Sequence, residues 1–378
     1  MWDLRLHRLD IRSTLIRQLP KEMWRLRRLR HLLVDGDGVN QDGTEIPLGS
    51  LWRSMFWLHT LETIDLTGFP ARVVEKLGRL RFIRVLSIIW ALNQCIERSY
   101  QEALCSSIKA WWKLESLTIH CGIGCSMEFL EKSLCQGWCK ELAVFKVKGG
   151  TFPRIPKLIA GRDKFTSIEI TVCRLMPVDL SILGSLPYLQ CLVLGLNFVP
   201  QEAIVIDGVG FPGLENLSVS CRVPWLTFEQ GAMQQLTYLE LKIADSPASQ
   251  ESIPSGFINL LSLSEVAIRY NVRYANSPSV KMTEEAVREQ VAGHCDLFIN
   301  GKRDQQDEAG DEHCLIAFSL VSIDEDRRRA AALKWAFYNG AITPAARQIN
   351  ASFSEDNAGS FISVQCIRWS CHACAAQS

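Results

Sequence analysis

Neither sign of charge dominates this chain of 378 residues, in which 41 Lys and Arg stand against 41 Asp and Glu. No global field draws it toward nucleic acid or an anionic membrane. No apolar run approaches the roughly 20 residues of a membrane span. The opening "MWDLRLHRLDIR" places Asp3 and Arg5 where a secretory leader needs an apolar stretch, so none is expected. No Gly-x-x-x-x-Gly-Lys-Ser/Thr loop occurs, so no backbone cradle for phosphates is visible. No nucleophile, base and orienting group stand at a telling spacing, and each histidine is isolated. These absences read as a non-enzymatic, cofactor-free, intracellular (cytoplasmic) chain.

What the chain does have is a repeat. The signature apolar-x-x-apolar-x-apolar recurs eleven times. It runs as Leu6-Leu9-Ile11, Leu29-Leu32-Val34, Leu61-Ile64-Leu66, Ile83-Leu86-Ile88, Leu114-Leu117-Ile119 and Leu142-Phe145-Val147. It continues as Phe165-Ile168-Ile170, Leu189-Leu192-Leu194, Leu214-Leu217-Val219, Leu236-Leu239-Leu241 and Leu263-Val266-Ile268. The starts lie 22 to 32 residues apart, mostly within or just above the leucine-rich-repeat period of ~20–29. Positions four and six alternate as a short strand does and point inward, while their neighbours point out onto a concave face. One repeat buries its leucines only against the next. The expected fold is therefore α/β: a leucine-rich-repeat solenoid over 1–275, a C-terminal cap over 276–301, and an acidic linker and tail over 302–378.

Local signals refine this. Pro20 argues against one long basic helix across "LDIRSTLIRQLPKEMWRLRRLRHLL". At position nine a small polar residue is expected, and Thr14, Cys173, Asn197 and Asn271 fit; Phe69 and Arg222 do not. Ala103–Trp112 and Met127–Cys135 read as convex helices, whereas Pro153–Ile159, with two prolines, does not. Thr283 is the expected N-cap of a closing helix that ends at Gly293, followed by a strand running into an Asn300-Gly301 turn. Leucines begin at Leu6 without a capping sequence, so that end is expected to be covered by further architecture or by a partner.

Several stretches go beyond the generic repeat. "LDIRSTLIRQLPKEMWRLRRLRHLLV" resembles early repeats of plant intracellular nucleotide-binding leucine-rich-repeat disease-resistance receptors. "FPGLENLSVSCRVPWLTFEQGAMQQLTYLELKI" resembles a late repeat pair of their grass members, and "IPSGFINLLSLSEVAIRYN" with "EEAVREQVAGH" resembles their last repeat and closing helix. The resemblance spans roughly 4–300 and implies a protein-interaction module of innate immunity. Such a module recognises a pathogen or host protein, or restrains a nucleotide-binding domain. A free-standing adaptor, an F-box-type substrate receptor and a truncated fragment remain as alternatives.

Two sets of side chains are candidate contacts. Outward strand positions of the later repeats give Lys146, Lys148, Glu169, Thr171, Tyr238, Glu240, Lys242, Glu265 and Arg269, a grid suited to protein recognition. Early arginines Arg12, Arg17, Arg25, Arg27, Arg28 and Arg30 form a basic patch, which the resemblance makes a docking surface for a nucleotide-binding domain. With so few interleaved aromatics the patch does not read as a nucleic-acid site. Cys121-x₃-Cys125 and Cys135-x₃-Cys139 with His120, and Cys371-His372-Ala373-Cys374 with Cys366, permit metal by spacing but read as core or surface thiols. His31, His59 and His120 fall in or beside strands. Asn216-Leu217-Ser218 and Asn350-Ala351-Ser352 match glycosylation acceptors by chance. Reversing Arg25, Arg27 and Arg28 to Glu is expected to weaken binding to a cognate nucleotide-binding domain in a pull-down. Unchanged binding at both low and moderate salt would contradict the docking role.

Overall fold

The computed structural model describes residues 6–12, 26–34, 57–122, 124–134, 139–243, 252–304, 350–356 and 359–365. The chain divides into two compact units. The first comprises residues 1–69, 79–89 and 313–378. Its parallel ladder runs through β1 (Leu6–Asp10), β2 (His31–Leu33), β3 (Thr60–Asp65) and β4 (Val85–Trp90). The second comprises residues 70–78 and 90–312. It stacks β5 (Ser116–Cys121), β6 (Val144–Phe152), β7 (Ser167–Val172) and β8 (Cys191–Leu196), then, past the short β9 (Ile204–Ile206), β10 (Asn216–Cys221). A second short strand, β11 (Leu226–Phe228), pairs with β9, and β12 (Tyr238–Ile243) and β13 (Glu265–Tyr270) carry the main ladder on.

Every signature position in all eleven units is buried. The reason is the one the spacing implies: a short strand covers its inward residues only with the strands before and after it. In the second unit the register is in step, so Leu117, Phe145, Ile168, Leu192, Leu217, Leu239 and Val266 form one continuous inward row.

The register corrects the phase of one unit. Leu32 pairs with Leu61 and Leu61 with Leu86, so Leu61 occupies position four, not position one. The unit begins at Leu58, which is fully buried. Thr63, at φ 54°, is an extra residue in the strand, and the register shifts between Leu61 and Ile64. Once the bulge is allowed for, position nine falls on Thr67, not Phe69. The Thr67 N–H and hydroxyl both donate to Asp65 Oδ1, at 2.8 and 2.6 Å. The polar exit from the strand is present after all; the inserted residue hid it.

Convex segments vary as expected. Helices span Arg98–Ala110 and Glu128–Leu134, and no helix forms across 153–159. Trp111 follows the first of these, is fully buried, and donates its indole N–H to Leu77 O at 3.1 Å. Ser107, buried on the same helix, donates to Val74 O at 2.7 Å and accepts from the Gly78 N–H at 3.0 Å.

The closing helix differs from expectation at its start. It runs Pro278–Val291, with Pro278 in the first turn. Thr283 lies inside it, and its buried hydroxyl donates to Ser279 O at 2.8 Å, so it is not the cap. A proline preset for the first turn took over the start that Thr283 and its acids suggested. Gly293, at φ 77°, follows the helix end as expected. Asn300 and Gly301, at φ 48° and 80°, turn β14 (Asp296–Ile299) antiparallel onto β15 (Lys302–Arg303). The parallel ladder extends one strand beyond the last signature, since β14 pairs parallel with β13. Tyr270 Oη donates to Glu284 at 2.5 Å, and Arg288 pairs with Asp304 at 2.6 Å, fastening the helix to the last strands. In the first unit, β16 (Asn350–Asp356) and β17 (Gly359–Gln365) form an antiparallel pair, and β17 lies parallel against β1.

Replacing Trp111 by Ala removes a buried ring and its hydrogen bond. An unfolding loss of about 3–5 kcal/mol is expected, read by denaturant titration. Replacing the exposed Trp112, which is 60% accessible, should change stability by no more than about 0.5 kcal/mol.

Candidate protein-interaction face

Between the inward rows, the strands of the second unit turn their other residues to the outer face in register. The middle outward row reads Thr118, Lys146, Glu169, Val193, Ser218, Glu240 and Ala267. One row along, Lys148 stands beside His120; after the β6 bulge Thr151 pairs with Thr171, and Gly195, Ser220, Lys242 and Arg269 continue that row. On the other side Ser167, Cys191, Asn216, Tyr238 and Glu265 align.

Four of the nine candidate residues here converge on one carboxylate. Glu240 is only 7% exposed. Its Oε2 accepts from Lys242 Nζ at 2.7 Å and from Ser218 Oγ at 2.7 Å, and its Oε1 from Arg269 Nε at 2.6 Å. Arg269 stands close enough to Tyr238 for its charge to act on the phenol. Burial pushes the Glu240 carboxyl up, but the Lys242 and Ser218 hydrogen bonds, with the charges of Lys242 and Arg269, outweigh it and hold the group below its usual range. Burial and the Glu240 charge push the Tyr238 phenol up, against the pull of Arg269. Glu240 is thus a strut, and it fixes Lys242 and Arg269 as presented side chains, with Tyr238 on the same strand.

Of the remaining candidates, Glu265 shares β13 with Arg269 and the other four sit on β6 and β7. Glu265 is next to Tyr238 across the β12–β13 pair. Lys146 and Glu169 face each other across β6 and β7, and Lys148 is exposed. Thr171 lies against Gly195, where a Cβ would come within 2.4 Å of the Thr171 hydroxyl. These four belong to β6 and β7, separated from the Glu240 group by β8 and β10. The floor between is low: Cys191, Val193, Gly195, Ser218 and Ser220.

Sequence reasoning missed Ser218, read only as part of a chance acceptor motif. Its signal was positional, since a hydroxyl between two inward residues of β10 stands opposite the same slot of β12. It also missed Arg154, whose guanidinium grips buried Asp179 at 2.9 and 3.2 Å while Asp179 Oδ2 accepts the Met176 N–H at 2.8 Å.

In the first unit, Arg12 is not a bare cation. It pairs with Asp10 at 2.8 Å and Glu62 at 3.4 Å, and those acids absorb part of its charge. Arg27, Arg28 and Arg30 are exposed in the turn leading to β2. Arg17 and Arg25 lie outside the described residues. His31 Nδ1 is 2.9 Å from Thr60 Oγ1, and burial, then the charges of His59, Arg8, Arg30 and His7, lowers its pKa.

For the metal spacings, Cys139 turns its thiol to Leu114 O at 2.8 Å, away from any shared centre. Cys135, Cys366, Cys371, His372 and Cys374 lie outside the described residues. Among the described residues no group of three or more His, Cys, Asp and Glu is disposed to hold a metal ion. Nor is any helix there long and apolar enough to cross a membrane.

A parallel ladder with a buried leucine row and a charged, tyrosine-bearing outer row defines a leucine-rich-repeat interaction module. The chain belongs to that family: the model of a leucine-rich repeat region matches residues 4–296. Among curated relatives it is similar to the rice (Oryza sativa subsp. japonica) disease resistance proteins Pikm1-TS and Piks-1, each 36% identical over 156 residues, and Pik-1, 35% identical over the same length. The match covers 40% of this chain and 13% of each relative. Among solved structures the chain resembles an internalin (inlF) from Listeria monocytogenes str. 4b F2365. That match has a TM-score of 0.36 and 14% identity, and covers 74% of this chain and 86% of that one.

Because the folded Glu240 pKa is depressed, its stabilisation is whole above the ordinary carboxylate range and is lost as pH falls through the folded value. Glu240→Gln should therefore cost stability at pH 7 and cost progressively less toward pH 3. At pH 7 about 1–2 kcal/mol is expected, below the figure for a fully buried pair, because Lys242 and Arg269 are 41% and 52% exposed. Denaturant titrations across that range measure it.

Proposed function

We propose that the outward face of β6 to β13 is a recognition surface for a protein partner, a pathogen or host protein, in a plant disease-resistance setting. The observation that carries this reading is the Glu240 strut. A carboxylate is kept buried and charged on an outer face, where its effect is to hold a lysine and an arginine in place. An arginine immobilised before contact loses little freedom on binding and, with Tyr238 on the strand beside it, serves as an anchor. Support for the setting comes from the similarity to the rice disease resistance proteins.

Lys146, Lys148 and Glu169 form the second contact area, and the small residues of β8 and β10 leave a trough between the two. A partner spanning both presents acidic groups to Lys146 and Lys148 and an apolar or aromatic segment to the trough. The exposed Arg27, Arg28 and Arg30 are a separate surface. We assign them to docking of a nucleotide-binding domain, so that partner binding competes with or relieves that restraint.

The test uses partner proteins recovered by proximity labelling in plant tissue and then purified. Tyr238→Ala and Arg269→Ala should each weaken binding of a direct partner about tenfold or more, the scale of an interface anchor. Lys146→Glu with Lys148→Glu should slow association and reduce its salt dependence. Partners that bind all these variants with unchanged affinity would refute the assignment of this face.

A further inference from the structure

On the convex side, away from the outer face, a groove of about 750 Å³ runs between the helix Pro177–Gly184 and β9 of the next repeat. Its apolar lining has Met176 and Leu180 on the helix side, Val205 and Val209 on the other, and Phe198 and Val199, which follow β8. Met176, Val205 and Val209 are exposed, Val209 at 92%. Both walls are fixed in place. The Arg154–Asp179 pair anchors the helix start, and β11 holds β9. At the far end the Phe211 N–H donates to Gly184 O at 2.8 Å. A Cβ on Gly184 would come within 3.1 Å of Gly210 Cα, so two facing glycines let the walls meet there.

The β9 wall is an open sheet edge. Among the described residues β9 pairs with β11 alone, in the following repeat. The preceding repeat places a helix at this level, and a helix has no free backbone to offer a strand. The Ile204 N–H donates to Trp225 O, and Ile206 O accepts from the Glu229 N–H, both at 2.9 Å. Backbone groups of successive residues alternate between the two sides of a strand, so the Val205 N–H and C=O point the other way, into the groove. Neither has a hydrogen-bond partner among the described residues. The far edge of β11 shows the contrast. There Ser255 N–H donates to Leu226 O at 2.8 Å and Phe228 N–H to Ser255 O at 3.0 Å, so an extended segment covers it. An uncovered edge beside exposed apolar side chains is a template for one more extended chain.

We propose that this groove takes an extended peptide of a partner protein, which adds to β9 as a strand and lays apolar side chains between β9 and the helix. The occupant is extended because such a backbone presents its own C=O and N–H to the Val205 pair. It is apolar at alternate positions because side chains on one face of a strand recur every second residue. It carries Lys or Arg on its flanks because exposed Glu202 and Asp207 bracket β9, while Arg174 is the single cation among the described residues that line the groove. About five residues, at ~3.3 Å each, reach from one acid to the other. A compact apolar molecule would fill the space but leave the Val205 backbone groups unmatched. The site is separate from the Glu240 face and does not depend on it.

The experiment pans a phage-displayed library of random dodecapeptides on the intact chain, with the Val205→Pro chain in excess in solution. Val205→Pro removes the N–H that faces the groove and spares the Ile204 and Ile206 bonds to β11, a placement at which an edge strand tolerates proline. Enriched sequences are expected to alternate apolar residues between Lys or Arg. As synthetic peptides in fluorescence polarisation they should bind the unmutated chain about tenfold or more tighter than Val205→Pro. Met176→Lys, at an exposed side chain outside β9, should weaken them likewise without any change in the strand. Circular dichroism confirms that both variants are folded. Glu202→Gln with Asp207→Asn should lower affinity and flatten its salt dependence. Failure to enrich such sequences would overturn the proposal, as would peptides that bind Met176→Lys as tightly as the unmutated chain. So would a dimer, seen by light scattering and dissolved by Val205→Pro, since the edge would then belong to a second copy.

Discussion

A single repeat cannot bury its own leucines, and the rest of the molecule follows from that constraint. Each strand of the parallel ladder is three to nine residues long, and its inward side is closed only by the strands beside it. Register must therefore be kept from strand to strand, because a slip of one residue would turn a leucine row to solvent. Where the chain carries an extra residue it is accommodated locally: Thr63 takes a positive φ in β3, and Gly149 and Gly150 bulge in β6. The inward rows resume beyond both. Rigidity of the inner rows gives the outer rows their fixed spacing.

That fixed spacing lets a polar group be held with little solvent around it. Glu240 sits in an outward slot and is nonetheless buried, because Ser218 is in the matching slot of the preceding strand, Arg269 rises from the following one, and Lys242 stands two residues on. Burying a carboxylate is unfavourable unless donors replace its water, and three do so here. The result is a local patch in which Lys242 and Arg269 are ordered by contacts rather than left mobile. Arg154 and Asp179 do comparable work on the convex side, where the pair ties a helix start to the preceding repeat.

The inward half of this design was legible in the sequence because it is periodic. Eleven signatures located the strands, and the register agreed for all but the Leu61 unit, where one inserted residue moved the apparent phase by three. Two convex helices were expected over Ala103–Trp112 and Met127–Cys135 and form at Arg98–Ala110 and Glu128–Leu134, whereas Ala71–Lys76, Leu92–Ile96 and Pro177–Gly184 were not read from the sequence. The closing helix was placed but its start was not, since Pro278 and Thr283 both carry start signals and only packing chose between them. The outward half was less legible. Tyr238, Glu240, Lys242 and Arg269 were marked by position alone, with nothing to show that Glu240 would be internal. Ser218 and Arg154 depend on contacts more than twenty residues apart in the chain, which no local pattern encodes.

The account rests on a division of labour: inward residues hold the ladder and outward residues bind. It is tested most directly by an alanine scan of both rows from β6 to β13, with Tm and partner affinity measured on every variant. The account predicts two separate groups. Inward variants such as Leu217→Ala lower Tm sharply. Outward variants such as Tyr238→Ala lower affinity while Tm moves by no more than a few degrees, with Glu240→Ala alone moving both. If affinity loss tracked Tm loss across the whole set, the outer face would have no binding role of its own and the account would be contradicted.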